Sequence, residues 1–376
     1  MLKSIASLLL AAVFLIGCNA APQTHPVPVL DTKGDVYKTL GPNDTLIYSD
    51  AVGTKKTLII FVDFPDRRAK DETTQQRADK VLGGTPEDGT FQNIFRANSD
   101  GKLTLDLTLV HGWRTLPESH KVYDPVTTKG HRIMFEEAFK LYPEIDFNDY
   151  DYTMVLMTAK GNFAFGERDD EAINHRGKKI TVALNQGSRS PYVLAHELAH
   201  CMGLPDLYTY TSKVPEDAPR NPLGPWDIMS SAGQATGFIG WHRHKLGWLD
   251  DDRKTYLTQG SHQLTLTPLS ADEGISMIVV PSDNADKPSK VFVIEVAQPI
   301  RVRGNKQAPE PGGVLVYSVD ATLPTGQNPV ILYPREDKIH AAFHKGDRFD
   351  HDDAPMSVNV MKKNNDGSYD IELTVK

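Results

Sequence analysis

Hydrophobic and polar positions follow two different periods along this chain, and the change of period divides it. Residues 57–64 (TLIIFVDF) form an unbroken, largely apolar run stopped by Pro65 and Asp66, the pattern of a strand buried on both faces. Residues 102–110 (KLTLDLTLV) alternate strictly, which predicts a strand with one wet face. Residues 152–157 (YTMVLM) repeat the buried pattern, and 179–184 predict a strand leading through a Gly/Ser/Pro loop into a helix. Helical stretches lie between them at 71–82, at 91–97 with Phe91, Ile94 and Phe95 on one side, and at 132–142. Strands alternating with helices predict an α/β sheet covered by helices as far as His200. After Trp248 no long helical pattern remains. Segments 255–269, 275–280, 291–296, 314–319, 356–361 and 369–375 are short and strand-like, separated by Gly, Pro, Asn and Asp. They predict an all-β, sandwich-like domain packed on the first part.

The N-terminus adds a different signal. Residues 1–18 (MLKSIASLLLAAVFLIGC) place Lys3 ahead of an apolar run from Ile5 to Ile16, too short for a stable membrane span and shaped like a secretory signal. Leu15-Ile16-Gly17-Cys18 resembles a bacterial lipobox. That resemblance implies cleavage before Cys18, acylation of its thiol, and an exported chain held by a lipid anchor to the bacterial cell envelope, at the outer membrane or cell surface. Residues 19–51, rich in Pro, Thr and Asp, predict a tether and an irregular lead-in. The expected divisions are a signal and lipobox at 1–18, the tether and lead-in at 19–51, a catalytic domain at 52–250 and a β domain at 251–376.

Composition narrows the function classes. The formal net charge of −8 argues against nucleic-acid binding, and loss of the signal with its one lysine makes the balance slightly more negative. Only Cys18 and Cys201 are present, so acylation of Cys18 would leave no partner for an internal disulfide. A monomer is expected.

The chemistry concentrates in residues 193–208 (VLAHELAHCMGLPDLY). His196 and His200 are four apart, so a helix puts both on one face, where two imidazoles suit zinc. Glu197 sits beside them, able to take a proton from a metal-activated water. Gly203 can end the helix in a left-handed turn and return the chain, making Asp206 a candidate third ligand. Asp206 could instead cap a backbone turn. Tyr208 is a candidate stabiliser of a tetrahedral oxyanion, with packing at the helix end as its plainer role. Cys201 directly follows His200 and cannot share its face, so it is read as a small buried residue.

The string H-E-x-x-H-x-x-G-x-x-D resembles the metzincin pattern with Asp in place of the third His, and residues 226–230 (WDIMS) resemble its Met-turn, with Met229 as an apolar floor under the metal. Together with 57–66, 95–113, 196–208, 224–233, 246–250 and, weakly, 312–320, these motifs resemble the immune-inhibitor-A-like family of bacterial zinc metallopeptidases. The resemblance covers most of the chain after the lipobox. It implies an α/β zincin-type catalytic domain, a mixed sheet with the active-site helix, followed by the all-β sandwich-like domain. It also implies a Zn2+ cofactor, a protein or peptide substrate, and endopeptidase activity with Glu197 as general base. Leu207 departs from the family, where an acidic residue often follows the Asp, so another carboxylate could complete the shell.

Competing readings remain. Glu216 is an alternative ligand in a Pro-rich segment, and a catalytically inactive, surface-anchored binding protein on the same scaffold is the alternative function. His242 and His244, two apart, are expected at the surface or in packing, and His175 could line the cleft. Residues 146–151 (DFNDYD) are acidic enough to suggest Ca2+ but lack EF-hand spacing, so a solvated turn is the safer expectation. His340, His344 and His351 show no ligand spacing.

Overall fold

The computed structural model describes residues 25–33, 39–41, 50–85, 89–123, 128–158, 163–166, 173–175, 178–180, 182–186, 190–283, 287–297 and 312–376. Cys18, with the whole signal and lipobox, and the side chain of His175 lie outside what is described.

Strands β1 (Gly53–Asp63), β2 (Leu103–Thr115), β3 (Tyr152–Met157), β4 (Phe163–Gly166) and β7 (Val182–Gln186) form one sheet in the order β2-β1-β3-β7-β4. All neighbours are parallel except the edge strand β4, which runs antiparallel to β7. The apolar run of β1 is buried on both faces, as parallel strands usually are. Its Ile59 and Phe61 face a core with α1 (Thr74–Leu82), α2 (Thr90–Asn98) and α4 (Pro191–Cys201). Its Leu58, Ile60 and Val62 face the other way, onto Met134, Phe135 and Ala138 of α3 (Thr128–Lys140). β2 buries Leu103 and Leu105 and exposes Thr104 and Asp106, the expected wet face. Helix α1 begins three residues later than its apolar pattern suggests, because Thr73 and Gln76 cap its first turn reciprocally.

The stretch expected as one strand at 179–184 is two elements. β6 (Lys178–Ile180) pairs with β5 (Ile173–His175) in a separate hairpin, and β7 joins the main sheet. Likewise 255–269 divides into β8 (Lys254–Tyr256) and β9 (Gly260–Leu266). Residues 146–151 form a turn in which Asp146 caps a 3-10 segment and Asp151 accepts the Lys56 N–H at 2.8 Å, so these two carboxylates serve the backbone.

The remaining strands are β10 (Met277–Pro281), β11 (Lys290–Val296), β12 (Val314–Asp320), β13 (Val330–Leu332), β14 (Arg348–Asp350), β15 (Met356–Lys363) and β16 (Tyr369–Val375). They form two sheets, β13-β12-β11-β10-β8 and β14-β15-β16-β9. Phe292, Ile294 and Val316 of the first pack against Val358, Ile371 and Leu373 of the second, which makes the sandwich. The opposite face of the first sheet, with Val279, Val293 and Tyr317, shares a core with Leu198 of α4 and Met229. A boundary drawn after Asp250 therefore separates sheets but not cores. Between the two parts lie the short helices α5 (Ile228–Ser231) and α6 (Gly240–Lys245). Of the lead-in, described residues 39–41 dock on α6: the Leu40 and Gly41 carbonyls accept bonds from Trp241 Nε1 (3.0 Å) and Lys245 Nζ (2.7 Å).

One buried carboxylate stitches α6 to the inner sheet of the sandwich. Glu295 Oε2 accepts the Gly240 N–H and the Tyr317 hydroxyl, both at 2.7 Å. A Cβ on Gly240 would stand 2.6 Å from that oxygen, so only glycine allows the approach. Burial pushes the Glu295 carboxyl up to about 7, against the opposing pull of Tyr317, the Gly240 N–H and Arg243. A raised carboxyl pKa means the folded state holds the proton more tightly. The stability it contributes is full below the ordinary carboxylate range and is lost as pH climbs through about 7. Glu295→Gln keeps the shape and does not titrate. Between about pH 5 and about pH 8 its stability relative to the parent should rise by on the order of 3 kcal/mol, measured by urea unfolding at several pH values. A difference independent of pH would show that this carboxyl titrates normally.

Candidate metal centre

Helix α4 is buried nearly all round, with Leu194, Ala195, Leu198, Ala199 and Cys201 in the core. The polar residues His196, Glu197 and His200 are therefore embedded in apolar surroundings, where unpaired polar atoms are costly. Cys201 is a small buried residue whose thiol points to the Glu197 carbonyl, 3.7 Å away, as expected from its place on the helix. The helix ends at Cys201, and Gly203 just beyond it turns the chain with φ +93°. Leu204 N–H then donates back to the Ala199 carbonyl at 3.1 Å. This reversal brings the Leu204 carbonyl beneath His200 and carries Asp206 to the imidazoles.

His196 Nδ1 lies 2.9 Å from the Ile228 carbonyl, and His200 Nδ1 lies 2.7 Å from the Leu204 carbonyl. A carbonyl only accepts, so each ring donates from Nδ1 and leaves Nε2 facing Asp206. The rings stand nearly perpendicular, with centroids 4.8 Å apart. Asp206 Oδ1 lies 2.9 Å from His196 Nε2 and 3.3 Å from His200 Nε2. That oxygen is buried and accepts no hydrogen bond of good geometry. Its partner Oδ2 accepts the Tyr210 hydroxyl. Donor atoms on a tetrahedron of 2.0–2.1 Å radius are about 3.3 Å apart, and the two distances from Asp206 Oδ1 are close to that spacing. His196, Glu197 and His200 also form a group capable of holding a metal ion, their donor atoms within 4.8 Å of one another. Glu197 Oε1 stands back from His196 Nε2 at 4.0 Å.

The charges answer to one another. Burial works to lower the His196 imidazole, yet the charges of Glu197 and Asp206 outweigh it and raise it to about 9. Burial works to raise the Asp206 carboxyl, and the two imidazoles outweigh that and hold it well below the usual carboxylate range. Glu197 is raised, with burial the largest cause.

Asp206 thus stands where the H-E-x-x-H-x-x-G-x-x-D spacing placed it, and Leu207 is turned fully into the core. Glu216 is exposed in a surface loop, and the carboxylate that meets both imidazoles is that of Asp206, not of Glu216. Tyr208 stacks on His196 with centroids 6.1 Å apart and keeps 36% of its surface exposed. Burial pushes its hydroxyl strongly up, so it stays protonated. Tyr210, which sequence reasoning missed, is the tyrosine that touches Asp206. His242 is fully buried and not at the surface, while His244 packs against Trp241 at 5.2 Å.

The Met229 segment is a one-turn helix that serves as a ledge. Asp227 caps it, accepting the Met229 N–H at 2.7 Å through Oδ1. Its Oδ2 accepts the Ile239 N–H at 2.7 Å and His242 Nδ1 at 2.9 Å. Held this way, the segment offers the Ile228 carbonyl to His196 and the Met229 carbonyl to the Leu207 N–H at 3.0 Å. Met229 itself is fully buried in the core that contains α4.

No protein-family model matches the chain, and no curated protein matches it. Among solved structures, the chain is similar to OgpA from Akkermansia muciniphila. The catalytically inactive form of OgpA, in complex with an O-glycopeptide (glycodrosocin) substrate, aligns at 10% identity and a TM-score of 0.29, over 80% of this chain and 90% of that one. Wild-type OgpA aligns at 10% identity and 0.29 over 80% and 91% of the two chains in one crystal form. In another it aligns at 9% and 0.29 over 92% and 96%. Likeness at this level carries no argument about chemistry.

The ledge yields a stability prediction. Asp227→Ala would leave the Met229 and Ile239 amides and the His242 ring without their buried acceptor. The loss should be about 3–5 kcal/mol in urea unfolding of the metal-free protein. A loss below about 1 kcal/mol would show that the ledge does not depend on this carboxylate.

Proposed function

We propose that this chain is an exported zinc-dependent endopeptidase of the immune-inhibitor-A-like kind, with an α/β zincin-type catalytic part and a β sandwich behind it. The observation that carries the reading is the buried Asp206 Oδ1, set between two imidazole Nε2 atoms with no hydrogen bond of good geometry. Three buried electron-pair donors at that spacing are stable together when a cation lies among them. His196, His200 and Asp206 would hold the ion, and their nitrogen and oxygen donor set suits zinc. When bound, zinc lowers the pKa of a coordinated water and polarises a peptide carbonyl.

The chain's own residues supply the rest. Glu197 takes a proton from the attacking water and returns it to the departing amine. Its burial raises its carboxyl, which brings a group that would otherwise be a weak base nearer to the pH of its work. The Ile228 and Leu204 carbonyls fix both imidazole tautomers, so neither ring must reorient. The Tyr208 hydroxyl, protonated beside His196, is the proposed donor to the carbonyl oxygen as negative charge builds there. Strand β4 forms an edge of the first sheet and packs beside α4. An extended peptide added along that edge would lie across the site, which makes a peptide chain the natural substrate.

Glu197→Gln tests the chemistry. The amide keeps the size and leaves the three ligands alone, but it accepts no proton from water. Peptide hydrolysis should fall by about a hundred- to ten-thousand-fold while zinc content by mass spectrometry stays near one per chain. Near-parental hydrolysis would sink the mechanism. A parent protein that holds zinc and hydrolyses no member of a peptide library would favour the inactive, surface-anchored binding protein.

The tether is tested separately. With the lipobox-like Leu15–Cys18 string as its motive, Cys18→Ser is expected to move the protein from the membrane to the soluble fraction on cell fractionation. A variant that sediments with membranes as the parent does would overturn the lipid anchor.

A further inference from the structure

We propose that the loop joining β12 to β13, through Thr325, Gly326 and Asn328, positions the Asp206 carboxylate, so that the β sandwich completes the metal centre. This rests on the reading of Asp206 as a zinc ligand and assigns the sandwich a part in the chemistry.

The need for such a device follows from the local structure. His196 and His200 ride on a regular helix and each is fixed by a backbone carbonyl. Asp206 comes from an irregular segment after the helix, and a ligand on such a segment is only as well placed as its supports. The ledge at Met229 holds the neighbouring Leu207 N–H but not Asp206 itself.

The supports of Asp206 come from 119 residues further along the chain. Its N–H donates to Thr325 Oγ1 at 2.9 Å. Its carbonyl accepts the Gly326 N–H at 3.3 Å, and the Gly326 carbonyl accepts the Tyr210 N–H at 2.9 Å. The Thr209 hydroxyl reaches Asn328 Oδ1 at 2.6 Å, and Asn328 Nδ2 donates to the Pro219 carbonyl at 3.1 Å. Residues 206–210 are thus pinned on one side to 325–328. The pinning also places the Tyr210 ring, whose hydroxyl occupies Asp206 Oδ2 and leaves Oδ1 to the imidazoles. Gly326 has φ +77°, and a Cβ there would stand 2.3 Å from Tyr210 Cγ, so the contact requires glycine. Thr325 and Asn328 are both buried at this junction.

Each bond lies one step behind a ligand, where loss of a support typically reduces metal affinity by about ten- to a hundred-fold. The experiment uses the chain from residue 19 onward and measures zinc affinity by competition with a chromophoric chelator, alongside the melting of metal-free protein. Thr325→Val keeps the shape and removes the acceptor of the Asp206 N–H. Its zinc affinity should fall by about tenfold or more, and Thr325→Ser, which restores the hydroxyl, should recover it. Asn328→Ala should weaken zinc in the same direction, and it decides the matter if Thr325→Val does not fold. Unchanged zinc affinity in the folded variants, with only the metal-free melting lowered, would overturn the proposal and leave the loop a packing contact. Asp206→Ala separates the two levels. If it loses zinc while the loop variants do not, the positioning role alone fails. If it keeps full zinc affinity, the ligand reading fails and the loop proposal falls with it.

Discussion

The structure is organised around one buried oxygen: Asp206 Oδ1 stands 2.9 Å from His196 Nε2 and 3.3 Å from His200 Nε2. In an apolar interior these groups have lost their water, and the charges of Glu197 and Asp206 outweigh burial and raise the His196 imidazole to about 9, so that a proton or a bound cation balances the carboxylate. The fold accepts this arrangement and reinforces it. Both Nδ1 protons are committed to carbonyls, so neither ring can turn its N–H toward Asp206 without abandoning a bond. Tyr210 holds one carboxylate oxygen, so the other is directed inward.

Around that point three elements of different sequence distance converge. The helix supplies two donors four residues apart, the Gly203 reversal returns a third six residues on, and Asp227 steadies the ledge beneath. Asp227 and Glu295 are buried carboxylates whose oxygens are met by backbone amides and by neighbouring side chains. Such groups contribute little net stability by being charged, but removing one strands its donors. They fix where α5 and α6 sit, and through the Ile228 carbonyl they fix how His196 is turned.

The legibility of the sequence follows the same distances. Periodicities of two and of 3.6 were enough for β1, β2, β3, α2 and most of the sandwich, because each buries a continuous face. Strands β13 and β14, three residues each, are shorter than any pattern that periodicity can resolve. The split of 179–184 depends on which partner each half pairs with, and pairing is a tertiary fact. At the site, His196, Glu197 and His200 were legible because a helix fixes their geometry, and Asp206 because Gly203 announces the reversal. Tyr210 and Thr325 were not. Nothing local marks a tyrosine four residues past Asp206, or a threonine in a distant strand connection, as its supports. The buried His242 could be found only by knowing that Asp227 faces it.

The case for an enzyme over a silent scaffold turns on Glu197. Asp206 meets both imidazoles, while the Glu197 carboxylate stands 4.0 Å back from His196 Nε2. Yet it is buried on the same helix, where burial works against its charge and the two imidazoles only partly offset that cost. A binding surface would gain nothing from a carboxylate in that position, and an alanine or leucine there would suit the apolar helix better. On the proposed reading, a group that takes a proton from water and gives it to a leaving amine does need that place. The burial that raises its carboxyl also sets it apart from bulk water.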